Sequence, residues 1–241
     1  SGSGGFKPFL HLASSDNTWR ILGYTDYLFF YEPTLGLERY YKFDETSGTI
    51  ATDSSGNGDD GSLTGGFTFT GNTGVMGNAL SFYGNPDQVT TNYGNGLDPT
   101  DTLTSLSFWA YPTSGANNKG TIGVPLGTNQ RCYVGVSTED TWSIGIQDSA
   151  FGTNNDFPVT YNEWTHIALV MDGENATLFV NGIKGTSSQS VKDYTSYMLT
   201  GDISFGNAWG SYYEGMLDEI RIYSRALSDF DVTQLYREAF D

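Results

Sequence analysis

Apolar and polar residues alternate along this chain in short runs, and they almost nowhere recur at the three- and four-residue spacing of an amphipathic helix. Residues 103–111, 131–136, 142–147, 164–171, 176–180, 203–205 and 217–223 form such runs. Each is bounded by Gly, Asn, Asp, Ser or Pro, which is the pattern of an all-β domain. His166-Ile167-Ala168-Leu169-Val170-Met171 is nearly continuous in apolar character, which predicts a strand buried on both faces in a sandwich interior. Asp172-Gly173-Glu174-Asn175 and Asn181-Gly182 are tight-turn signals, because Gly and Asn accept positive φ cheaply. Residues 164–184 therefore predict a meander of strand, turn, strand and turn. One helix is expected, near the C-terminus. Ser228 caps it, Asp229 and Asp231 sit in its first turn, and Arg237 lies near its negative end. Its apolar stripe would be Leu227, Phe230, Leu235, Tyr236 and Phe240.

The segment before this domain has a different texture. Ser1-Gly2-Ser3-Gly4-Gly5 reads as an expression scar or flexible leader on a fragment of a longer parent. Thr18-Trp19-Arg20-Ile21-Leu22-Gly23-Tyr24 and Tyr27-Leu28-Phe29-Phe30-Tyr31 predict two strands around a turn at Thr25-Asp26, and Pro33-Thr34-Leu35-Gly36 reads as a linker. A lone two-stranded hairpin is marginal, so residues 6–36 need a partner surface. Two partners remain open: the main domain, or identical copies in an oligomer.

Composition removes several functions. The 241 residues carry 28 acidic and 11 basic side chains, a net charge of −17. Such a surface is a poor partner for nucleic acid, whose phosphates are met by clustered Lys and Arg, and for anionic lipid. Cations and neutral ligands suit it better. No run of about 18 apolar residues predicts membrane insertion. Cys132 is the only cysteine, which excludes an intrachain disulfide and a multi-thiolate zinc site. Aromatic residues at 15% place the chain far from disordered acidic proteins.

From Tyr40 onward a series of motifs appears in one order. It runs Tyr41-Lys42-Phe43-Asp44-Glu45-Thr46-Ser47-Gly48, Asp53-Ser54-Ser55-Gly56-Asn57-Gly58-Asp59-Asp60-Gly61, and Gly77-Asn78-Ala79-Leu80-Ser81-Phe82-Tyr83-Gly84. Leu106-Ser107-Phe108-Trp109-Ala110, Trp164-Thr165-His166-Ile167-Ala168 and Leu178-Phe179-Val180-Asn181-Gly182 follow. Gly215-Met216-Leu217-Asp218-Glu219-Ile220-Arg221-Ile222-Tyr223 with Arg225-Ala226-Leu227-Ser228 ends the series. In this order the motifs resemble the laminin-G-like, concanavalin-A-like lectin jelly-roll family in its bacterial or phage form. The resemblance covers residues 37–241 and implies a two-sheet antiparallel jelly-roll sandwich. It also implies carbohydrate binding, often with structural calcium; glycoside hydrolases share the fold, so fold alone does not decide.

Candidate chemistry concentrates in two places. Asp53, Asn57, Asp59 and Asp60, with Gly56, Gly58 and Gly61 between and beside them, put hard oxygen donors in one short loop, the donor type calcium takes. Counted from Asp53, the twelfth residue is Thr64 rather than Glu, so the loop is not an EF-hand. The resemblance adds Asp218 as the residue completing this Ca2+ site, beside the ordinary reading of an Asx-rich turn. For sugar, aromatic faces must stand beside polar planar groups. Trp209, Tyr212 and Tyr213 in a Gly-rich loop are the first choice. Tyr133 and Trp142, with Arg131, Gln147 and Asp148 nearby, form a second group, and Asn85-Pro86-Asp87 with Tyr93 are expected to line the rim. Trp109 and Trp164 are expected to be packing residues, and His166 a hydrogen-bonded structural histidine.

Paired catalytic carboxylates are not evident. Retaining glycosidases on this sandwich place three acids on one strand face at two-residue spacing, whereas Glu214, Asp218 and Glu219 break that spacing. The sequence thus predicts a non-catalytic, extracellular glycan-binding adhesion domain whose partner is a cell-surface glycan. Residues 6–36 also show a short likeness to the terminal strands of phage-type tail fibres, which implies a fibre tip, held as a homotrimer. A structural or protein-binding module is the alternative, and a glycoside hydrolase the third reading.

Overall fold

The structure, a computed structural model, describes residues 13–14, 17–18, 32–91, 104–126, 130–146, 156–172, 175–190 and 202–240. The chain divides into two units, Ser1–Leu35 and Gly36–Asp241. In the first, β1 (Ala13–Ser14) and β2 (Asn17–Thr18) pair antiparallel with Ala13 opposite Thr18. The expected strand at 27–31, and all of the expected strand at 18–24 beyond Thr18, lie outside the described residues.

In the second unit the alternation of the sequence resolves into two antiparallel sheets. A seven-stranded sheet runs from β12 (Trp142–Ile146) through β11 (Gln130–Val136), β10 (Lys119–Leu126), β16 (Ser204–Phe205), β8 (Gln88–Thr91) and β5 (Gly61–Thr64) to β4 (Ile50–Ala51). The second sheet runs from β15 (Ile183–Ser190) through β14 (Asn175–Val180), β13 (Thr165–Met171), β9 (Ser105–Pro112), β19 (Glu214–Tyr223) and β7 (Asn78–Tyr83) to β6 (Asn72–Thr73), with β3 (Leu37–Tyr41) also paired to β19. A small hairpin, β17 (Asn207–Ala208) with β18 (Ser211–Tyr212), is paired into neither sheet.

The two-residue side-chain period decides what each strand buries. Leu106, Phe108 and Ala110 of β9 and Ile167, Leu169 and Met171 of β13 share one core with Ile122 and Val124 of β10, Cys132, Val134 and Val136 of β11, and Trp142 and Ile144 of β12. Phe205 packs edge-on to Tyr41 at 5.1 Å in the same core. Each such large apolar side chain stabilises the fold by roughly 1.5–3 kcal/mol. The β13 strand is buried along its whole length, as its near-continuous apolar run predicts.

At His166 its second face meets α1 (Asp229–Arg237), whose Tyr236 ring lies 6.1 Å from the imidazole. Ser228 and Asp231 form the capping box expected at its start, each bonding the other's backbone N–H. Tyr236 stacks on Trp109 at 5.7 Å, and Val232 and Leu235 are buried. The expected stripe ends differently. The α-helix stops at Arg237, and Phe240, in a following 3-10 turn, is two-thirds exposed at 67%. Arg221 secures that turn: Nη1 meets Glu238 at 2.6 Å, Nη2 meets Glu219 at 2.9 Å, and the guanidinium lies over the Tyr40 ring at 4.5 Å. The helix thus covers part of the outer face of the second sheet, and the outer face of the seven-stranded sheet carries the aromatic residues described next.

Candidate functional site

After β16 the chain bends at Gly206, which has φ +79 and no room for a Cβ against Phe82, and the β17–β18 hairpin folds over the outer side of β10. Glycines make this approach possible. A Cβ at Gly120 would strike Ala208, and one at Gly123 would lie 3.1 Å from the Ala208 Cα and 3.3 Å from the Trp209 ring. The hairpin is then tied down by polar contacts. The Gly120 N–H donates to Ser211 Oγ at 3.1 Å, Ser211 Oγ donates to the Asn118 carbonyl at 3.2 Å, and the Asn207 amide donates to Gln88 Oε1 at 2.6 Å. At its tip Trp209 and Gly210 both take positive φ, +50 and +85, and the Gly210 N–H donates to Asn207 Oδ1 at 2.9 Å. A left-handed tryptophan costs about 1–2 kcal/mol, which the anchored turn holds in place.

Trp209 is 41% exposed. Its ring meets Tyr133 edge to face, with centroids 6.0 Å apart and planes at 63°. Tyr133 is half-exposed and lies across β12 at Gly145, where any Cβ would fall inside its ring. Two aromatic planes therefore meet at a corner on the sheet surface, a geometry suited to a ligand with C–H faces and polar edges.

The expected sugar-facing residues separate on this frame. Trp209 and Tyr133 come together, and Tyr212 is half-buried on β18. Trp142 and Tyr213 are corrections: both are fully buried in the core. Trp142 shares its strand face with Ile144, and burial pushes the Tyr213 hydroxyl well above the ordinary phenol range. Arg131 sits in β11 opposite Pro125. Gln147, Asp148 and Tyr93 lie outside the described residues. Asp87 is buried and accepts from the Tyr83 N–H at 3.0 Å, so it serves its own turn. Sequence reasoning missed Gly123, Gly145 and the Asn207–Gln88 amide pair, because their role depends on which strands are neighbours.

The acidic loop is engaged internally. Asp53 Oδ1 accepts from the N–H groups of Tyr40 and Ser55, both at 2.9 Å. Its Oδ2 accepts from Ser55 Oγ at 2.7 Å and from the N–H groups of Gly58 and Asp59 at 3.1 and 3.2 Å. These donors hold the Asp53 carboxyl below its ordinary pKa despite burial, which acts in the other direction. Asp60 accepts from the Asp53 N–H at 2.8 Å, the Asn57 amide donates to the Glu38 carbonyl at 2.7 Å, and Asp59 pairs with Arg39 at 3.2 Å. Both carboxylate oxygens of Asp53 are thus taken by donors of its own loop and of Tyr40.

Asp218 belongs to a different place. Its Oδ2 accepts from the Val75 and Met76 N–H groups at 2.8 and 3.1 Å, while its Oδ1 is buried without a hydrogen-bond partner among the described residues. Burial, the leading cause, pushes its pKa up to about 8. Gly74 lies against both Asp218 Oδ2 and the Asn78 carbonyl, and Asp44 accepts from the Asn78 N–H at 2.8 Å. A buried carboxylate oxygen without a partner among the described residues is a donor of the kind a hard cation takes. Among the described residues no three His, Cys, Asp or Glu side chains are grouped to hold a metal, so main-chain oxygens would supply most of the shell.

Glu219, with φ +52 at a break in the β19–β9 register, turns instead to Arg221 and the Tyr40 hydroxyl. The adjacent acids thus serve separate partners and do not face each other across a cleft. His166 contacts Ser107 Oγ through Nε2 at 2.9 Å, buried beneath Trp109 and Tyr236, and burial lowers its pKa to about 3. It is a packed neutral histidine. Trp109 is buried as expected, and Trp164 is half-buried against Tyr111.

Residues 83–233 match the family model Laminin_G_3, the concanavalin A-like lectin/glucanases superfamily. No curated protein matches the chain. Among solved structures, domain 4 of AbnA, a GH43 extracellular arabinanase from Geobacillus stearothermophilus in complex with arabinotriose, is 22% identical with a TM-score of 0.65, covering 83% of this chain and 98% of that domain. Trypanosoma rangeli sialidase is 13% identical with a TM-score of 0.66, and 32% of its chain is covered by 83% of this one. The receptor-binding domain of botulinum neurotoxin D is 16% identical with a TM-score of 0.56, covering 86% of this chain and 54% of that one. At these identities the likeness is one of fold.

Proposed function

The chain belongs to the concanavalin A-like lectin/glucanase superfamily, and on that premise we propose that residues 36–241 are a non-catalytic glycan-binding module, with Trp209 and Tyr133 as its sugar-facing pair. The observation that carries this reading is the exposed indole of Trp209, held in a left-handed turn and edge-on to Tyr133. An aromatic corner of this kind stacks on the C–H faces of a sugar while neighbouring amides and hydroxyls meet its edges. The AbnA domain, solved with arabinotriose, supports the reading by its fold. The partner in this proposal is a cell-surface glycan, met outside the cell. Single-site affinity would be modest, and copies held together through residues 6–36 would raise it by avidity. A structural calcium is part of the proposal, with Asp218 as its carboxylate donor and the carbonyls of the 74–78 turn around it.

A glycan array with the native protein tests the reading. Trp209→Ala and Tyr133→Ala are each expected to weaken the strongest hit about tenfold, the loss of one stacking contact. Both side chains are at least partly exposed, so the melting temperatures should stay close to that of the native protein. An array without a sugar hit would sink the proposal, as would binding by Trp209→Ala equal to that of the native protein.

A further inference from the structure

Beside the aromatic corner, the outer face of the seven-stranded sheet carries a row of side chains in strict register. Gly123 of β10, which lies beneath Trp209, is opposite Ser204 of β16. Ser204 is opposite Thr90 of β8, and Thr90 is opposite Ser62 of β5. Their strand neighbours Ile122, Phe205, Val89 and Leu63 all enter the core, so the two-residue period turns this row outward. Ser204 and Thr90 are half-exposed and Ser62 is exposed. One step along the same face, Gln88 is opposite Thr64, and Gln88 receives the Asn207 amide of the hairpin. At about 4.8 Å per strand, the row from Gly123 to Ser62 crosses about 14 Å, perpendicular to the strands.

We propose that the ligand is a linear, uncharged glycan chain that starts on Trp209 and lies across the strands over Ser204, Thr90 and Ser62. The inference rests on the glycan-binding reading above and adds its substrate class and direction. Three features support it. Beyond Gly123 the row consists of the hydroxyls of Ser204, Thr90 and Ser62, flanked by amides, which both donate and accept and so match sugar hydroxyls in either role. The row carries no charge, and the whole chain has a net charge of −17, a field that opposes sialylated, sulfated or uronic chains. The polar groups are spaced strand by strand away from the indole, so one ring stacked on Trp209 leaves Thr90 and Ser62 untouched, whereas successive rings reach them in turn.

Calorimetric titration with neutral linear oligosaccharides of one to five units, from arabinan, xylan, cellulose and mannan, tests the proposal against 3′-sialyllactose. The native protein should bind one neutral series about tenfold more tightly at four units than at one, each added hydroxyl contact contributing a modest net hydrogen bond. The double variant Ser62→Ala, Thr90→Val, which removes two hydroxyls from an exposed and a half-exposed position, should lose most of that gain and leave the single-unit affinity unchanged. Equal affinity across lengths, or the same gain in the double variant, overturns the inference while the glycan-binding reading stands. Preference for sialyllactose does the same. Binding of none of these sugars, with no hit on the array, removes the glycan-binding reading and this inference together.

Discussion

At Asp218, burial and backbone donors pull one carboxyl group in opposite directions, and burial wins: its pKa rises to about 8 from an ordinary 3.8. An acid raised in the fold holds a proton that the unfolded chain releases. Its contribution is therefore complete below about pH 4 and is lost as pH rises toward 8, where the fold carries a buried charge. Asp53 and Asp231 have the opposite sign. Hydrogen bonds, and for Asp231 also Arg225, hold them below 3.8 against burial, so their contribution is present above that pH and is lost on acidification. In chelator, Asp218→Asn should become progressively more stable than the native protein between about pH 5 and pH 9, measured as melting temperature. Calcium binds the charged form, so adding it at about pH 8 should raise the melting temperature of the native protein and leave that of the variant unmoved. A native protein indifferent to both chelator and calcium would end the calcium proposal. The sequence marked Asp53 and Asp218 as acids of interest but could not separate them. An Asx turn and a cation loop ask for the same Asp and Gly residues, and only the folded chain shows that both Asp53 oxygens find donors while Asp218 Oδ1 finds none among the described residues.

At the scale of elements, strands were legible wherever alternation was strong. Residues 131–136 and 164–171 were located nearly to the residue, and Ser228 correctly marked the helix start. Trp142 could have been placed as well: it alternates with Ser143 and shares parity with Ile144, so the apolar side of β12 was already written in the chain. The β17–β18 hairpin was not legible as strand, because two-residue strands carry no period and its contacts are with distant glycines. The edge strand β15 shows another device that pattern alone conceals. Asp156 accepts from the N–H groups of Thr186 and Ser187, each at 2.9 Å, and from Thr186 Oγ1 at 2.8 Å. Its carboxylate occupies edge donors that would otherwise pair with another chain, while Ile183 nearby is 65% exposed. Asp156→Ala should raise concentration-dependent association in light scattering with little change in melting temperature. Unchanged scattering would show that the edge is protected by other means.

For the whole molecule, the division into Ser1–Leu35 and Gly36–Asp241 frames the question of assembly. A net charge of −17 opposes casual association between copies, so any stable oligomer must rest on a specific contact. The fibre-tip proposal assigns that contact to residues 6–36. Multi-angle light scattering of the full chain should then report three copies at moderate salt. A monodisperse monomer at every concentration would remove the trimer and leave the glycan-binding module intact. The charge itself was readable at once and narrowed the partner class; the assembly was not, because a short aromatic hairpin is equally compatible with packing on its own chain.

Tyr133 resting on Gly145, and Trp209 fixed in its turn against Tyr133, have a thermodynamic consequence for recognition. Each side chain immobilised on binding ordinarily loses about 0.5–1.5 kcal/mol in rotamer freedom. Here the folding of the sheet has already selected one orientation for both rings. On the glycan-binding proposal, a ligand would meet a surface with little disorder left to surrender, so its affinity would lose little to ordering these two rings.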